Sequence, residues 1–118
     1  MDKIYFQRES IAMNYIEQNI FEVIAAAGES KGNSMKAIDY ANDGKEDEAK
    51  KYLLKATNSL KKGNKAHFKL ITGKEAEKIN FSVLLIHAED QLMAAETFRD
   101  LATKLVETDL KLAKLTSK

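Results

Sequence analysis

The chain reads as all-α: an antiparallel, up-down-up bundle of three helices. Three observations predict this. None of the 118 residues is proline, where average usage would place roughly 6, so nothing in the chain forbids long helices. The segments between the five glycines are rich in Ala, Leu, Lys and Glu, which are good helix formers. Apolar residues recur at three- and four-residue spacing through all three long segments, and strand-like alternation is confined to two or three residues near Phe81. At this length the chain is expected to be a single domain over 1–118, with 1–9 and 112–118 as fraying ends.

The first helix is expected from about Ser10, a suitable N-cap, to about Tyr40. Met13, Ile16, Ile20, Val23, Ala27, Ser30, Ser34, Ala37 and Ala41 form its stripe. The stripe passes from large to small side chains around Gly28 and Gly32. A break there competes with a continuous, closely packed helix, and the unbroken periodicity favours continuation. Asn42-Asp43-Gly44 is a turn signal. The second helix is expected from about Lys45 to about Thr72, with Ala49, Leu53, Ala56, Leu60, Gly63, His67 and Leu70 on one face. Gly73 suits the position just past its end, and Glu75 to Asn80 reads as a polar connection. The third helix is expected from about Phe81 to about Leu115. Its main stripe is Leu84, His87, Gln91, Ala94, Phe98, Leu101, Leu105, Thr108, Leu112 and Leu115. A helix of this length reaches roughly 50 Å, too long for a compact three-helix monomer. That predicts packing against further copies of the chain, or a frayed C-terminal end.

Composition narrows the chemistry. With no cysteine, disulfides, thiolate metal sites and a thiol nucleophile are excluded. Any imidazole chemistry must use His67 or His87, the only two histidines. Lys plus Arg is 19 and Asp plus Glu is 18, a net charge of +1, and aromatics are 8%. Neither a phosphate-binding footprint nor a base-stacking platform is expected, so no nucleic acid partner. No apolar run approaches the roughly 20 residues that span a bilayer, and Met1 to Gln7 contains no signal-peptide core. A soluble, cytoplasmic protein with no direct membrane insertion is expected.

Polar residues stand in the wrong place at one point. Phe81-Ser82-Val83-Leu84-Leu85-Ile86 and Leu92-Met93-Ala94-Ala95 are apolar nearly all round and are expected to be buried on most sides. Between them lies His87-Ala88-Glu89-Asp90-Gln91. His87 and Gln91 take Leu-type positions on the main stripe, and Asp90 lies on a second stripe with Val83, Ile86, Met93 and Thr97. A buried carboxylate must be protonated, paired or metal-bound. His87 shares a helix face with Asp90 at i+3 and Gln91 at i+4. Antiparallel packing of the second and third helices would bring His67 towards His87. Each residue also has a structural reading: a histidine on an apolar face is commonly a hydrogen-bonded core residue, and Asp90 can be a simple acceptor. A neutral imidazole can accept a phosphoryl group covalently, and transfer needs mainly positioning and charge stabilisation. A His and carboxylate metal site for zinc, manganese or iron is the other chemical option, but one chain has too few ligands for a closed site.

At these residues the sequence resembles the IIA component of the lactose/cellobiose-specific phosphotransferase system. The resemblance runs from about Ile16 to Asp109 and is strongest over Leu84-Leu85-Ile86-His87-Ala88-Glu89-Asp90-Gln91-Leu92-Met93. Ala26-Ala27-Gly28, Ala41-Asn42-Asp43-Gly44 with Glu48-Ala49, and Ala66-His67 support it in order and spacing. It implies a three-helix subunit that forms a homotrimer. It further implies that His87 accepts phosphate from the histidine phosphocarrier protein and passes it to a cysteine of the IIB component, for uptake of a β-linked disaccharide of the lactose, cellobiose or chitobiose class. His67 and Gln91 become phosphoryl-side partners. Asp90 matches an aspartate that meets its symmetry mates around a metal on the threefold axis, with Mg2+ suited to three carboxylates and water. Three positions depart from the family pattern: Glu89 and Leu70 replace a Gln, and Gln91 replaces a second His. The run from Ala37 to Tyr52 is also similar to the helix pairs of MIT and tetratricopeptide modules. The alternative reading is therefore a non-enzymatic helical interaction module, or a regulatory homologue without a transport role.

Overall fold

The computed structural model describes residues 14–72 and 82–116. They form three helices, α1 (Tyr15–Asn42), α2 (Glu46–Thr72) and α3 (Val83–Thr116). α1 packs along both of the others, which touch each other less. A three-residue turn makes α2 antiparallel to α1. α3 runs back along α2, because Glu89 near its start meets His67 near the end of α2, while Ala113 near its end lies against Gly44. The expected up-down-up bundle is therefore the observed one.

The helix ends follow from local chemistry. α1 is capped by Asn14, whose side chain accepts from the Glu17 amide at 2.8 Å. It therefore starts at Tyr15 and not near Ser10, which itself lies outside the described residues. At the other end the Gly44 amide bonds to the Ala41 carbonyl (3.0 Å) and the Lys45 amide to the Tyr40 carbonyl (2.8 Å). This is a Schellman closure. It needs a left-handed residue at Gly44, whose φ is +76°. α2 opens with Glu46, Asp47 and Glu48, which complement its N-terminal dipole. Ser82 caps α3, its hydroxyl accepting from the Leu85 amide at 3.1 Å. Gly73, Phe81, the connection Glu75 to Asn80 and the first nine residues lie outside the described residues. α3 is helical through 112–116, and residues 117–118 lie outside the described residues.

The core comes in two parts. The larger cluster, at the open end, joins Ile20, Val23, Ala27, Leu60, Ala66, Leu70, Leu85, Ala88, Leu92 and Ala95. The smaller, at the turn end, joins Ala37, Ala41, Ala49 and Val106. Between them the packing is polar and small. The Ser30 hydroxyl donates to the Ala56 carbonyl at 2.9 Å, and Arg99 Nη1 donates to Thr57 Oγ1 at 3.0 Å. α1 runs unbroken through Gly28 and Gly32, as the periodicity implied. The close packing is elsewhere: a Cβ on either of those glycines would meet nothing within 4 Å, whereas one on Gly63 would lie 2.9 Å from Leu92 Cδ1 and 3.2 Å from Ala26 Cβ.

The inward stripes expected for α1 and α2 are largely the ones observed, but that of α3 is not. Its buried residues are Leu85, Ala88, Leu92, Ala95, Ala102 and Val106. Of the expected stripe, Leu84 packs against the larger core cluster, while His87, Gln91, Leu101, Leu105 and Leu112 are exposed. Leu101 is 65% exposed and Met93 63%. Neighbouring helices approach α3 on its alanine-rich face because small side chains let the backbones come close, and the larger residues are left outside. The segments expected to be buried on most sides therefore carry Val83, Ile86 and Met93 in the open.

Candidate functional site

His87 sits on the second turn of α3, exposed, with Gln91 one turn further on and also exposed. The two share a flank of the helix. Asp90 is exposed as well, and it borders a shallow depression of about 520 Å³ with Met93, Ala94, Thr97, Phe98 and Leu101. The expectation of a buried Asp90 is thus not met within one subunit. Water solvates its carboxylate, and nothing inside the chain obliges it to find a partner. A separate cleft of about 550 Å³ lies at the turn end of the bundle, between Asn42, Asp43, Glu46, Leu110 and Lys114, far along the helices from His87.

His67 occupies a different flank. Its Nε2 lies 2.9 Å from Glu89 Oε2, and both side chains are half-buried at 26% and 38%. Two residues along an α-helix correspond to about 200° of rotation, so Glu89 and His87 project from nearly opposite sides of α3. Within one chain His67 therefore meets Glu89 and is not brought beside His87. Leu70, where the family pattern has Gln, is a core residue at 1% exposure. The sequence reading missed the His67–Glu89 contact. The antiparallel register that placed His67 near the start of α3 contained it, but the flank of α3 facing α2 was misassigned by the shifted stripe.

The residues present set a limit on a metal. Among the described residues, no three His, Asp or Glu side chains of one chain converge. Magnesium takes about six oxygen ligands. Asp90 alone does not make such a site, so the residues fit the ion only if several copies contribute.

The described residues form an all-α bundle that carries an exposed imidazole, His87, on the outside of α3. Comparisons with known proteins make this specific. The family model for the lactose/cellobiose-specific IIA subunit of the phosphotransferase system matches residues 18–109. The chain is 36% identical over 93 residues to the lichenan-specific phosphotransferase enzyme IIA component of Bacillus subtilis, covering 78% of this chain and 84% of that one. It is 35% identical over 100 residues to the galactose-specific EIIA component of Lactococcus lactis, covering 84% and 86%. The crystal structure of the cellobiose-specific enzyme IIA from Bacillus anthracis superposes with a TM-score of 0.80 at 33% identity, over 90% of this chain and 98% of that one. The chain belongs to the lactose/cellobiose-specific IIA family and is a phosphotransferase component with a phosphocarrier role in sugar uptake. No helix among the described residues is long and apolar enough to cross a membrane.

Proposed function

We propose that His87 is the phosphorylated residue. In the first step an unprotonated ring nitrogen of His87 attacks the phosphorus of the phosphorylated histidine carrier protein. A new N–P bond forms as the donor's N–P bond breaks. In the second step a cysteine thiolate of a IIB component attacks that phosphorus, forming an S–P bond and releasing the imidazole. Gln91, one turn away on the same flank, supplies an amide donor to the phosphoryl oxygens. The carrying observation is the exposed imidazole of His87 on the outside of α3, within the residues that the family model matches. The cargo class is a β-linked disaccharide such as lactose, cellobiose or chitobiose.

The same reading assigns the outer stripe of α3. Val83, Ile86, Met93, Leu101, Leu105, Leu112 and Leu115 are all exposed, and contiguous apolar surface of this kind marks an interface. A homotrimer with these faces together covers them. It also brings three Asp90 carboxylates to one axis, where Mg2+ and water would neutralise them.

Incubation with phosphoenolpyruvate, the first enzyme of the system and the histidine carrier protein tests the assignment. Acid-labile phosphate on His87, absent from His87→Gln, is the expected result. No label under conditions that label a control IIA overturns it. Glu89 and Gln91 favour one second reading, a regulatory homologue that is phosphorylated but feeds no transporter. Transfer onward to purified IIB proteins of lactose, cellobiose and chitobiose systems separates the two and reads the sugar class.

A further inference from the structure

Tyr40 on α1 and Tyr52 on α2 stack across the turn end of the bundle, with ring centroids 5.3 Å apart and planes 22° from parallel. Both are half-buried against the smaller core cluster, so the pair is a fixed platform. Four exposed lysines surround it. The ammonium groups of Lys55, Lys36 and Lys51 lie 4.6, 5.4 and 6.0 Å from the Tyr52 ring centre, and that of Lys45 lies 5.9 Å from the Tyr40 ring centre. Each cation is attracted to a ring face, but three like charges around one ring repel one another. Among the described residues, no carboxylate pairs with any of the four. An anion arriving on this flank relieves that repulsion and meets charges already gathered in place.

We propose that the Tyr40–Tyr52 stack and its lysines dock an acidic segment of a partner protein, at a site separate from His87. Tyr52 precedes His67 by fifteen residues of α2, about 22 Å at the helical rise, and His67 is level with Glu89 on α3. The rings and lysines all come from α1, α2 and the turn between them, so a partner seated here leaves the outer face of α3 open. Neighbouring acids define the partner's shape. Asp43 and Glu48 are exposed and share the faces of Tyr40 and Tyr52 on the turn side of the stack. A flat anionic bilayer would press on them together with the lysines. A narrow acidic segment that crosses the two helices at Lys36 and Lys55, on the side away from the turn, avoids them.

Two probes at low salt test this on the full chain: acetylated octaglutamate, and vesicles of phosphatidylglycerol. In a nuclear magnetic resonance titration, octaglutamate is expected to shift the Tyr40 and Tyr52 ring signals, to leave His87 and Gln91 in place, and to be released at about 0.5 M salt. Lys36→Gln with Lys55→Gln weakens binding by about fivefold, the scale of two exposed ion pairs. Lys61→Gln with Lys65→Gln, exposed on α2 outside the patch, stays near wild type. Tyr52→Leu keeps the lysines but removes the ring that gathers them, and weakens binding by about twofold; Tyr52→Phe keeps the ring and stays near wild type. The two lysine pairs carry the test should Tyr52→Leu disturb the fold. The vesicles are expected to leave the chain in solution. The proposal is overturned if octaglutamate does not bind, if its shifts centre on His87, or if both lysine pairs weaken it equally, which is diffuse charge attraction. Co-sedimentation with the vesicles that depends on Lys36 and Lys55 makes the flank a membrane contact and overturns it too.

Discussion

The two faces of α3 are built from opposite materials. The inner face carries Ala88, Ala95 and Ala102 between Leu85, Leu92 and Val106, all at 7% exposure or less. The outer face carries Val83, Ile86, Met93, Leu101, Leu105, Leu112 and Leu115, the larger set by volume, and all are exposed. Hydrophobicity alone would have put the second set inside. Close packing of three helices rewards small side chains at the seam, because dispersion and area burial both grow as backbones approach. The outer set is what remains for a partner. Asp90 on that face is then not an interruption of a core. On the proposed homotrimer it is a polar residue within a surface that becomes buried on assembly.

The sharpest way to break this comparison is to treat the faces alike. Leu92→Ala removes a side chain that meets Gly63 and the larger core cluster, and a cost of about 2–5 kcal/mol in unfolding free energy is expected. Denaturant melts of the isolated chain read it. Leu101→Lys on the outer face is expected to leave helix content unchanged by circular dichroism but to convert the proposed trimer to monomer in sedimentation. A Leu101→Lys protein that remains trimeric would show that the outer face is not the interface. Asp90→Leu has the opposite sign: three carboxylates leave the shared surface together, so the assembly is at least as stable as wild type and indifferent to chelators. Loss of assembly in that variant contradicts the place given to Asp90.

How far the sequence could be read follows the same division. On α1, Ile20, Val23, Ala27, Ser30, Ser34, Ala37 and Ala41 are legible as a stripe and are all buried. On α2, Ala49, Ala56, Leu60, Gly63 and Leu70 are likewise buried, with Leu53 and His67 half-buried. α3 is misread by one residue because it has two apolar faces, and side-chain size selected the wrong one. Arg99 strengthens that error. A charged residue between Ala95 and Ala102 argues against an inward stripe, yet its stem packs there while the guanidinium reaches Thr57 on α2. The helical spacing of His87 and Gln91 was legible, since α3 runs unbroken through both and sets them one turn apart. The His67–Glu89 contact was not, because it depends on which flank of α3 faces α2.

Gly63 and Gly32 give a smaller, cleaner form of the comparison. Both lie inside helices, where Gly→Ala favours the helix by about 0.8–1 kcal/mol when nothing else changes. At Gly63 the new methyl would stand 2.9 Å from Leu92 Cδ1 and 3.2 Å from Ala26 Cβ. Overpacking of that kind costs about 1–3 kcal/mol, so Gly63→Ala should come out destabilising despite its better propensity. At Gly32 the methyl meets nothing within 4 Å, so the propensity gain should survive and the melting temperature should rise. Gly63→Ala as stable as wild type would mean that α2 and α3 can separate at the seam without loss.

The smallest effect is expected at the start of α2, where Glu46 and Lys50 form an exposed pair at 2.9 Å. The Lys50 ammonium, through its hydrogen bond and charge, holds the Glu46 carboxyl below its ordinary value. A carboxyl lowered in the folded state adds stability above its unfolded pKa, and that contribution is lost as pH falls through the folded one. Both groups are solvated, so water and salt screen nearly all of it. Lys50→Ala should therefore leave the melting temperature at neutral pH within the error of the measurement. A clear drop that disappears at low pH or in high salt would show that the turn end of the bundle depends on this pair, and would shift weight from the seam of small residues to surface charge.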